Sequence, residues 1–520
     1  MSRALLPALA LSVSVLFAPD AAAQLELTRT GGTLGGVLRY DIEGGAPFAA
    51  HVLIPSGNTG PLPIASVDPL DGRVLEVGVD LISNWVIGGL DGNGERTIVF
   101  GLPPIPALAG DAIHAQCITL PGATTLVDEV SNRASVRLGE SGGSVNTVED
   151  APFGFNGHTA TTLPGGDVLL VGGEARDAAG AFVGMDKIVR YDRELGEFRV
   201  LGGTLGTPRA AHTATLLPDR SVLIVGGTDQ FGNPTASVER IDSNTGAVIS
   251  TSSLGTARVF HTATLISGGR VLVTGGTDNI DFSNPLAALG DVLQSTRIYD
   301  PISNSWSSGP NLASRRIGHR ATRLGDGSVL ISGGLEVTIF IVPIPAFTGA
   351  AQRFDPVSNT FSNAGSFSGG RAFHSQALLD DGRVLVVGGA NGDLIAQTFN
   401  ALSSSRIYDP VTGNWSNGPS IAQARAYGNL VVAPGRAPVL VGGLATVDVT
   451  TTSGTPADTI ETIDAGLTAW STLGTQLMAR PIAPAALTDP GSFPRVLTTG
   501  EALSALGGPA DLTAELFVLP

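Results

Sequence analysis

Five of the seven histidines in this 520-residue chain stand in one local context, and the context repeats. His158, His212, His261, His319 and His374 each open a short run that ends in paired glycines, as in "RAAHTATLLPDRSVLIVGG" at 209–227 and "RVFHTATLISGGRVLVTGG" at 258–276. A row of imidazoles suggests a metal site, but the repetition argues against one. Equivalent positions on neighbouring packed sheets lie on the order of 10 Å apart, whereas the ligands of one ion sit about 2 Å from it. Histidines bonded to backbone near the start of each unit are therefore expected, and no metal or other cofactor. Six arginines share a second register: Arg209, Arg258, Arg316, Arg371, Arg425 and Arg480. Six guanidinium forks around one rim would bind carboxylates or sugar acids bidentately. The other role open to them is bracing each unit against the next.

The spacing of these residues says what must position them. The first glycine of each pair falls at 172, 226, 275, 333, 388 and 442. A degenerate seventh unit begins at Arg480, with Gly500-Glu501 in place of the pair. A period near 50 residues is that of a repeat architecture. The second half of each unit repeats as well. Asp192, Asp242, Asp300, Asp355, Asp409 and Asp464 stand six residues before Phe198, Val248, Trp306, Phe361, Trp415 and Trp470, with turn-forming residues between. Each unit thus holds two hairpins, or four strands. One four-stranded sheet cannot bury both faces, but radially arranged sheets bury each other.

The paired glycines, the Tyr-Asp-Pro turn ("IYDPISNSW", "IYDPVTGNW") and the bulky residue six places after the aspartate jointly resemble the kelch-repeat β-propellers, over about 360 residues. The resemblance implies an all-β chain: a seven-bladed kelch β-propeller at 141–520, preceded by a small β-sandwich-like module at 24–140. The seventh unit ends at its third strand, so its fourth has to come from residues 134–149; the other count is six blades and a stray C-terminal hairpin. In kelch proteins that recognise acidic peptides, arginines at the position of the six above are among the residues used. A copper-radical oxidase similar to galactose oxidase is set aside, since the only cysteine, Cys117, lies outside the propeller and no Tyr-His dipeptide is present.

Composition agrees with a folded β protein. Glycine is 69 of 520 residues and charged residues only 15%. A net charge of −16, with Lys187 the one lysine, excludes nucleic acid as a partner. Arg3, the apolar run after it and "AAA" before Gln24 read as a signal peptide, residues 1–23, cleaved near Ala23. A secreted, periplasmic or cell-surface protein with no membrane span follows. Residues 24–140 alternate in period two and close on "SNRASVRLG", resembling a module of secreted bacterial proteins; His51, His114 and Cys117 match no zinc spacing there. The longest connections, 277–295 and the apolar 335–351, are candidate contact loops. The reading is an exported, non-catalytic propeller that binds an extracellular or envelope glycan or protein. Its alternative is a sugar-acting enzyme, epimerase- or mutarotase-like, with its site in the propeller mouth.

Overall fold

In the computed structural model, the described residues run from 25 to 519, with breaks at 32–36, 60–61, 65–70, 72, 79–84, 110, 121–125, 140–143, 147–151, 153–155, 177–181, 194, 282–287, 341, 394–397, 447–454, 477–483, 489–494 and 500–513. The 1–23 segment, Arg480 and Gly500-Glu501 lie outside them. Two compact units are present, Met1–Thr28 with Tyr40–Ile98 and His114–Arg133, and Arg29–Arg39 with Val99–Ile113 and Ala134–Pro520.

In the first unit the strand Ala50–Ser56 pairs antiparallel with Val86–Gly89 on one side and Ala112–Leu120 on the other. Val52, Ile54, Ile64, Leu75, Val77, Ile118 and Val127 form its core. Ala50–Ser56 and Ala112–Leu120 are buried along nearly their whole length: Val52, Ile54 and Ile118 face this core, and Leu53, Ala115 and Cys117 are enclosed on the opposite face.

Seven four-stranded antiparallel sheets make up most of the second unit. Sheet three shows the pattern: Thr262–Leu265, Val271–Thr274, Thr296–Asp300 and Ser305–Ser308 pair in that order. Sheets one, two, four, five and six begin at Thr159–Thr162, Thr213–Leu216, Arg320–Arg323, Ser375–Leu378 and Asn429–Val431 and have the same order. Sheet seven contains Ala485–Thr488, Arg495–Thr498 and Glu515–Val518, and its fourth strand is Ser144–Asn146, from before the first unit of the repeat.

The second strands explain why these sheets stack. "VLLV", "SVLIV", "VLVT", "VLIS" and "VLVV" are buried at every residue. Successive side chains point to opposite faces, so a strand that is apolar throughout must be covered on both sides. Leu169 and Val171 of sheet one pack with Val222 and Ile224 of sheet two, and Leu223 and Val225 pack with Val271 and Val273 of sheet three. Val439 and Val441 of sheet six meet Val496 and Phe517 of sheet seven. Leu497 and Leu516 of sheet seven meet Val168 and Leu170 of sheet one. Each aliphatic side chain so enclosed contributes about 1.5–3 kcal/mol.

The second hairpin forms as its residue types require. The aspartate carboxylates accept backbone N–H groups across the turn, as Asp300 does from Ile302 at 2.9 Å and Asp409 from Val411 at 2.8 Å. The bulky residue six places on lies opposite the aromatic before the aspartate, with Tyr299 and Trp306 ring centroids 5.1 Å apart and Tyr408 and Trp415 4.9 Å apart.

Candidate functional site

The paired glycines join consecutive sheets. Gly226 (φ +60°) lies against the next sheet so closely that a Cβ there would stand 2.5 Å from the Arg258 carbonyl oxygen and 2.9 Å from the His261 ring. The N–H of Gly227 donates to that same carbonyl at 3.0 Å. Only glycine combines this backbone angle with this approach.

The histidines use the same junction. His212 Nε2 is 3.0 Å from Thr159 Oγ1 of the preceding sheet, and His261 Nε2 is 3.0 Å from Thr213 Oγ1. His319 reaches Thr274 Oγ1 at 2.9 Å, His374 reaches Ser332 Oγ at 3.4 Å, and His158 reaches Thr499 Oγ1 at 2.7 Å. The partner expected was backbone; the one found is a hydroxyl one sheet away. Burial drives the pKa of His212, His319 and His374 well below 6.5 and that of His261 down to about 3, so these four rings are neutral.

The five described arginines singled out as ligand contacts are buried, and each is bonded within its own unit rather than to the next. Arg209, Arg258, Arg316, Arg371 and Arg425 are 0–1% exposed. Each points Nη1 at the carbonyl of the first glycine and at the residue that leads into the third strand: Arg209 at Gly226 (3.1 Å) and Ser237 (2.9 Å), Arg371 at Gly388 (2.8 Å) and Ser404 (2.7 Å). Three also meet a carboxylate, Arg209 with Glu239 at 2.6 Å, Arg316 with Glu336 at 2.6 Å and Arg425 with Glu461 at 2.7 Å. In Arg209, Arg316 and Arg425 a carboxylate of the chain already occupies the guanidinium, which corrects that expectation for these three; Arg258 and Arg371 are as deeply buried and are not open on the rim, but no carboxylate is hydrogen-bonded to them among the described residues.

What remains at this end of the sheets is a set of residues the repeat phrase hid. The second residue after each arginine turns the chain with a positive φ, including Phe260 (56°), Phe373 (54°) and Tyr427 (58°), where bulky side chains are rare. Backbone bonds hold these turns to one another: Gly318 N donates to Phe260 O at 3.2 Å, Phe373 N to Gly318 O at 2.8 Å, and Tyr427 N to Phe373 O at 2.9 Å. The Phe373 and Tyr427 rings stack at 4.5 Å, and Phe260 meets Phe373 edge-on at 5.7 Å, with Gly318 leaving the room. The same turn has positive φ at Gly157, Ala211 and Gly318, so the backbone angle belongs to the repeat and what is particular to Phe260, Phe373 and Tyr427 is the aromatic ring set on it.

Beside these rings lies Arg320, at the position where sheets one to three have Thr159, Thr213 and Thr262. Its Nε donates to His374 O at 2.6 Å, and no partner of Nη1 or Nη2 is seen among the described residues. The side chain is partly exposed. Burial of the guanidinium lowers its pKa, and Tyr427 is the one group opposing that, so no carboxylate neutralises it. An arginine cannot accept from His374, which lies 3.4 Å from Ser332 Oγ, at the same second-strand position where His319 meets Thr274. The signal in the sequence was the phrase "HRATR" where three siblings read "HTATL" or "HTATT" and the fourth "HSQAL".

Of the two long connections, Leu335–Ile339 and Pro343–Phe347 form a hairpin whose tip exposes Phe340 and Val342. The other crosses the break at 282–287.

A chain of repeated four-stranded antiparallel sheets, joined by paired glycines and carrying a kelch motif, is a kelch-repeat protein. Residues 258–313 match the Kelch motif family. A Kelch-like protein, terF, of Aspergillus terreus is 26% identical over 162 residues, which cover 29% of this chain and 33% of that one. An F-box/kelch-repeat protein of Arabidopsis thaliana is 31% identical over 101 residues, 19% of each chain. The chain thus spans a third or less of the length of these curated relatives. Among solved structures, a fungal alcohol oxidase of the AA5 family in complex with copper superposes with a TM-score of 0.54 at 16% identity, over 72% of this chain and 75% of that one, a likeness of fold. Copper is not matched by the residues here. His158, His212, His261, His319 and His374 are one to a sheet with Nε2 engaged, Cys117 lies in the first unit with its thiol pushed up to about 12 by burial, and among the described residues no cluster of three His, Cys, Asp or Glu could hold a metal.

Proposed function

We propose that the seven sheets close into a ring, a seven-bladed kelch propeller, and that the protein is exported and binds an acidic extracellular or envelope glycan without catalysis. Closure is supported by the packing of sheet seven on both sheet six and sheet one, and by its borrowed strand Ser144–Asn146. In a ring the first strands face the axis, and Arg320 with the Phe260, Phe373 and Tyr427 turns then stands at its mouth. Export follows from the apolar segment that ends near Ala23.

The observation that carries the binding reading is Arg320, a guanidinium with donors to spare and no carboxylate acting on it, in a chain of net charge −16. An uncompensated cation beside aromatic rings suits the carboxylate of a sugar acid, with the sugar face against the ring. Mature protein, residues 24–520, is titrated with acidic and neutral oligosaccharides by thermal shift and calorimetry. Acidic sugars should bind, and Arg320→Ala should weaken them about 10–100-fold, the worth of charge-assisted hydrogen bonds, with an unchanged circular-dichroism spectrum. Equal binding by the Arg320→Ala variant would place the site elsewhere. Binding of no sugar at all would direct the search to a protein partner.

A further inference from the structure

The buried arginines are not all treated alike, and the difference is systematic. In sheet two the carboxylate of Glu239 fills a niche made by Arg209 and the loop before it. Its Oε2 accepts from Gly206 N at 2.7 Å, and its Oε1 accepts from Thr207 N at 3.3 Å and from Arg209 Nη2 at 2.6 Å. Sheet six repeats the arrangement: Glu461 accepts from Ala422 N at 2.6 Å, Gln423 N at 3.2 Å and Arg425 Nη2 at 2.7 Å. Sheet four reaches the same result with two side chains, Glu336 on Arg316 Nη2 at 2.6 Å and Gln352 Oε1 on Ala313 N at 3.1 Å. Three times, an oxygen anion made by the chain itself caps the buried arginine while an amide or carboxylate oxygen takes the loop N–H.

Sheets three and five break the rule at one position. Glu239 and Glu461 stand three residues before the turn aspartates Asp242 and Asp464; the residues three before Asp300 and Asp409 are Arg297 and Arg406. Their Nε atoms turn to loop carbonyls, Arg297 to Leu254 O at 3.1 Å and Arg406 to Ser368 O at 3.1 Å. Arg258 and Arg371 are left with neutral acceptors and one more cation beside them. Arg258 Nε, fully buried, has no hydrogen-bond partner at all. Asp278 acts on Arg258 from a distance without a hydrogen bond, and on Arg371 the neighbouring charge is that of Arg406. After burial, it is the second arginine that pushes Arg258 and Arg371 down to about 10. In sheet five the paired cations converge on a glycine: a Cβ at Gly369 would stand 3.4 Å from Arg406 Nη2 and 3.9 Å from Arg371 Nη2; in sheet three Gly255 lies against Arg297 alone, with Nη2 3.0 Å from such a Cβ. In sheet two a cleft of about 720 Å³ opens against the equivalent Glu239; in sheets three and five Arg297 and Arg406 are themselves partly exposed.

We propose that sheets three and five each carry an oxyanion site, formed by Arg258 with Arg297 and by Arg371 with Arg406, which takes from outside the carboxylate or sulfate group that the repeat supplies from within elsewhere. Two guanidinium groups facing one small volume repel each other, and an oxyanion between them removes the repulsion and accepts from both forks. These sites are separate from Arg320 and stand whether or not a sugar binds there.

The test titrates the full mature chain with sodium sulfate against sodium chloride at matched ionic strength, following Tm, and then with a uronic-acid oligosaccharide. Wild type should show a saturable rise of about 2–4 °C, on top of the linear rise that sulfate gives any protein by exclusion from its surface. In the double variant Arg297→Glu/Arg406→Glu, which restores the carboxylate of sheets two and six, Tm at low salt should be higher than wild type and the saturable part should vanish. Arg297→Gln/Arg406→Gln, which removes the second cation without adding an anion, should also lose saturation, and it serves if the charge reversal fails to fold. A saturating response at lower concentration for the oligosaccharide than for sulfate identifies a glycan-borne group, and the reverse identifies a free ion. A purely linear rise in wild type, or a saturable rise that survives in the variants, overturns the proposal. Loss of sugar binding in Arg320→Ala with sulfate saturation intact would leave this proposal standing on its own.

Discussion

Four buried imidazoles should make this protein unfold in mild acid. His212, His261, His319 and His374 are neutral in the folded chain, each with Nε2 against a hydroxyl of the preceding sheet and an Nδ1 that has no hydrogen-bond partner. In the unfolded chain they titrate near 6.5. Burial lowers the folded value, to about 3 for His261 and well below 6.5 for the others. Below pH 6.5 the unfolded state therefore binds more protons than the folded one. Stability from this source is present above 6.5 and is lost progressively as pH falls toward the folded values.

Between pH 7.5 and 5.5 the loss is about 1.4 kcal/mol for each fully buried ring, and about 5 kcal/mol for the four. That is comparable to the whole stability of many domains. The turn aspartates Asp242, Asp300, Asp355, Asp409 and Asp464, held below the usual carboxylate range mainly by hydrogen bonds across the turn, add their own loss only at lower pH, which leaves this window to the histidines. Urea denaturation followed by circular dichroism at half-unit steps of pH gives the slope of stability, which should approach the uptake of about five protons by pH 5.5, four from these rings and one from His51 of the first unit, whose pKa burial lowers to about 4. His319→Gln, whose amide can still bond Thr274, should reduce the slope by about one proton. An uptake below one proton at pH 5.5, or a slope unaltered in His319→Gln, would refute the assignment of neutral buried rings.

Two further outcomes test the junctions between sheets. Gly226→Ala should cost about 2–4 kcal/mol in chemical denaturation, because its Cβ would press on the Arg258 carbonyl; Gly232→Ala, with the same sign of φ but nothing within 4 Å of the added atom, should cost about 1 kcal/mol. Equal costs for the two would show that backbone strain alone, and not the close approach of the next sheet, requires the glycine pair. Arg425→Met leaves the Glu461 carboxylate enclosed without its cation and should destabilise by about 3–5 kcal/mol, whereas Arg425→Met/Glu461→Leu should be milder than the single change. Additive losses in that double-mutant cycle would mean that the pair is not coupled.

Much of this architecture is legible in the chain because its strands are short, wholly apolar and bounded by glycine. "VLVTGG" reads as a buried strand with a stop, and so it is at Val271–Thr274. The arginines were harder. A guanidinium four positions before a Thr-rich strand suits an exposed fork as well as a buried staple, and the choice depends on acceptors that no spacing reveals: the carbonyls of Gly226 and Ser237 for Arg209. The histidines differed for a related reason. Thr159, next to His158 in the phrase, serves His212 one repeat later, and a contact between copies of a motif is invisible within any one copy.

That distinction separates fold from function in a repeat. Positions shared by the units are those the architecture needs in every sheet, and here they proved structural: the buried arginines, the imidazoles and the glycine pairs. A position where one unit departs from its siblings is free of that demand and can carry something else. Three such departures replace Thr or Glu by arginine, Arg297, Arg320 and Arg406, in the consecutive sheets three, four and five and at the same end of each. In a chain with 46 acidic and 30 basic residues, chance would not be expected to concentrate uncompensated cations on one sector. Because Arg258 and Arg371 remain in place beneath two of them, the sector gains charge where the fold has withdrawn its own neutralising carboxylates. Stability alone would favour glutamate at Arg297 and Arg406, so the proposed anion sites predict that the glutamate variants gain stability and lose the response to sulfate.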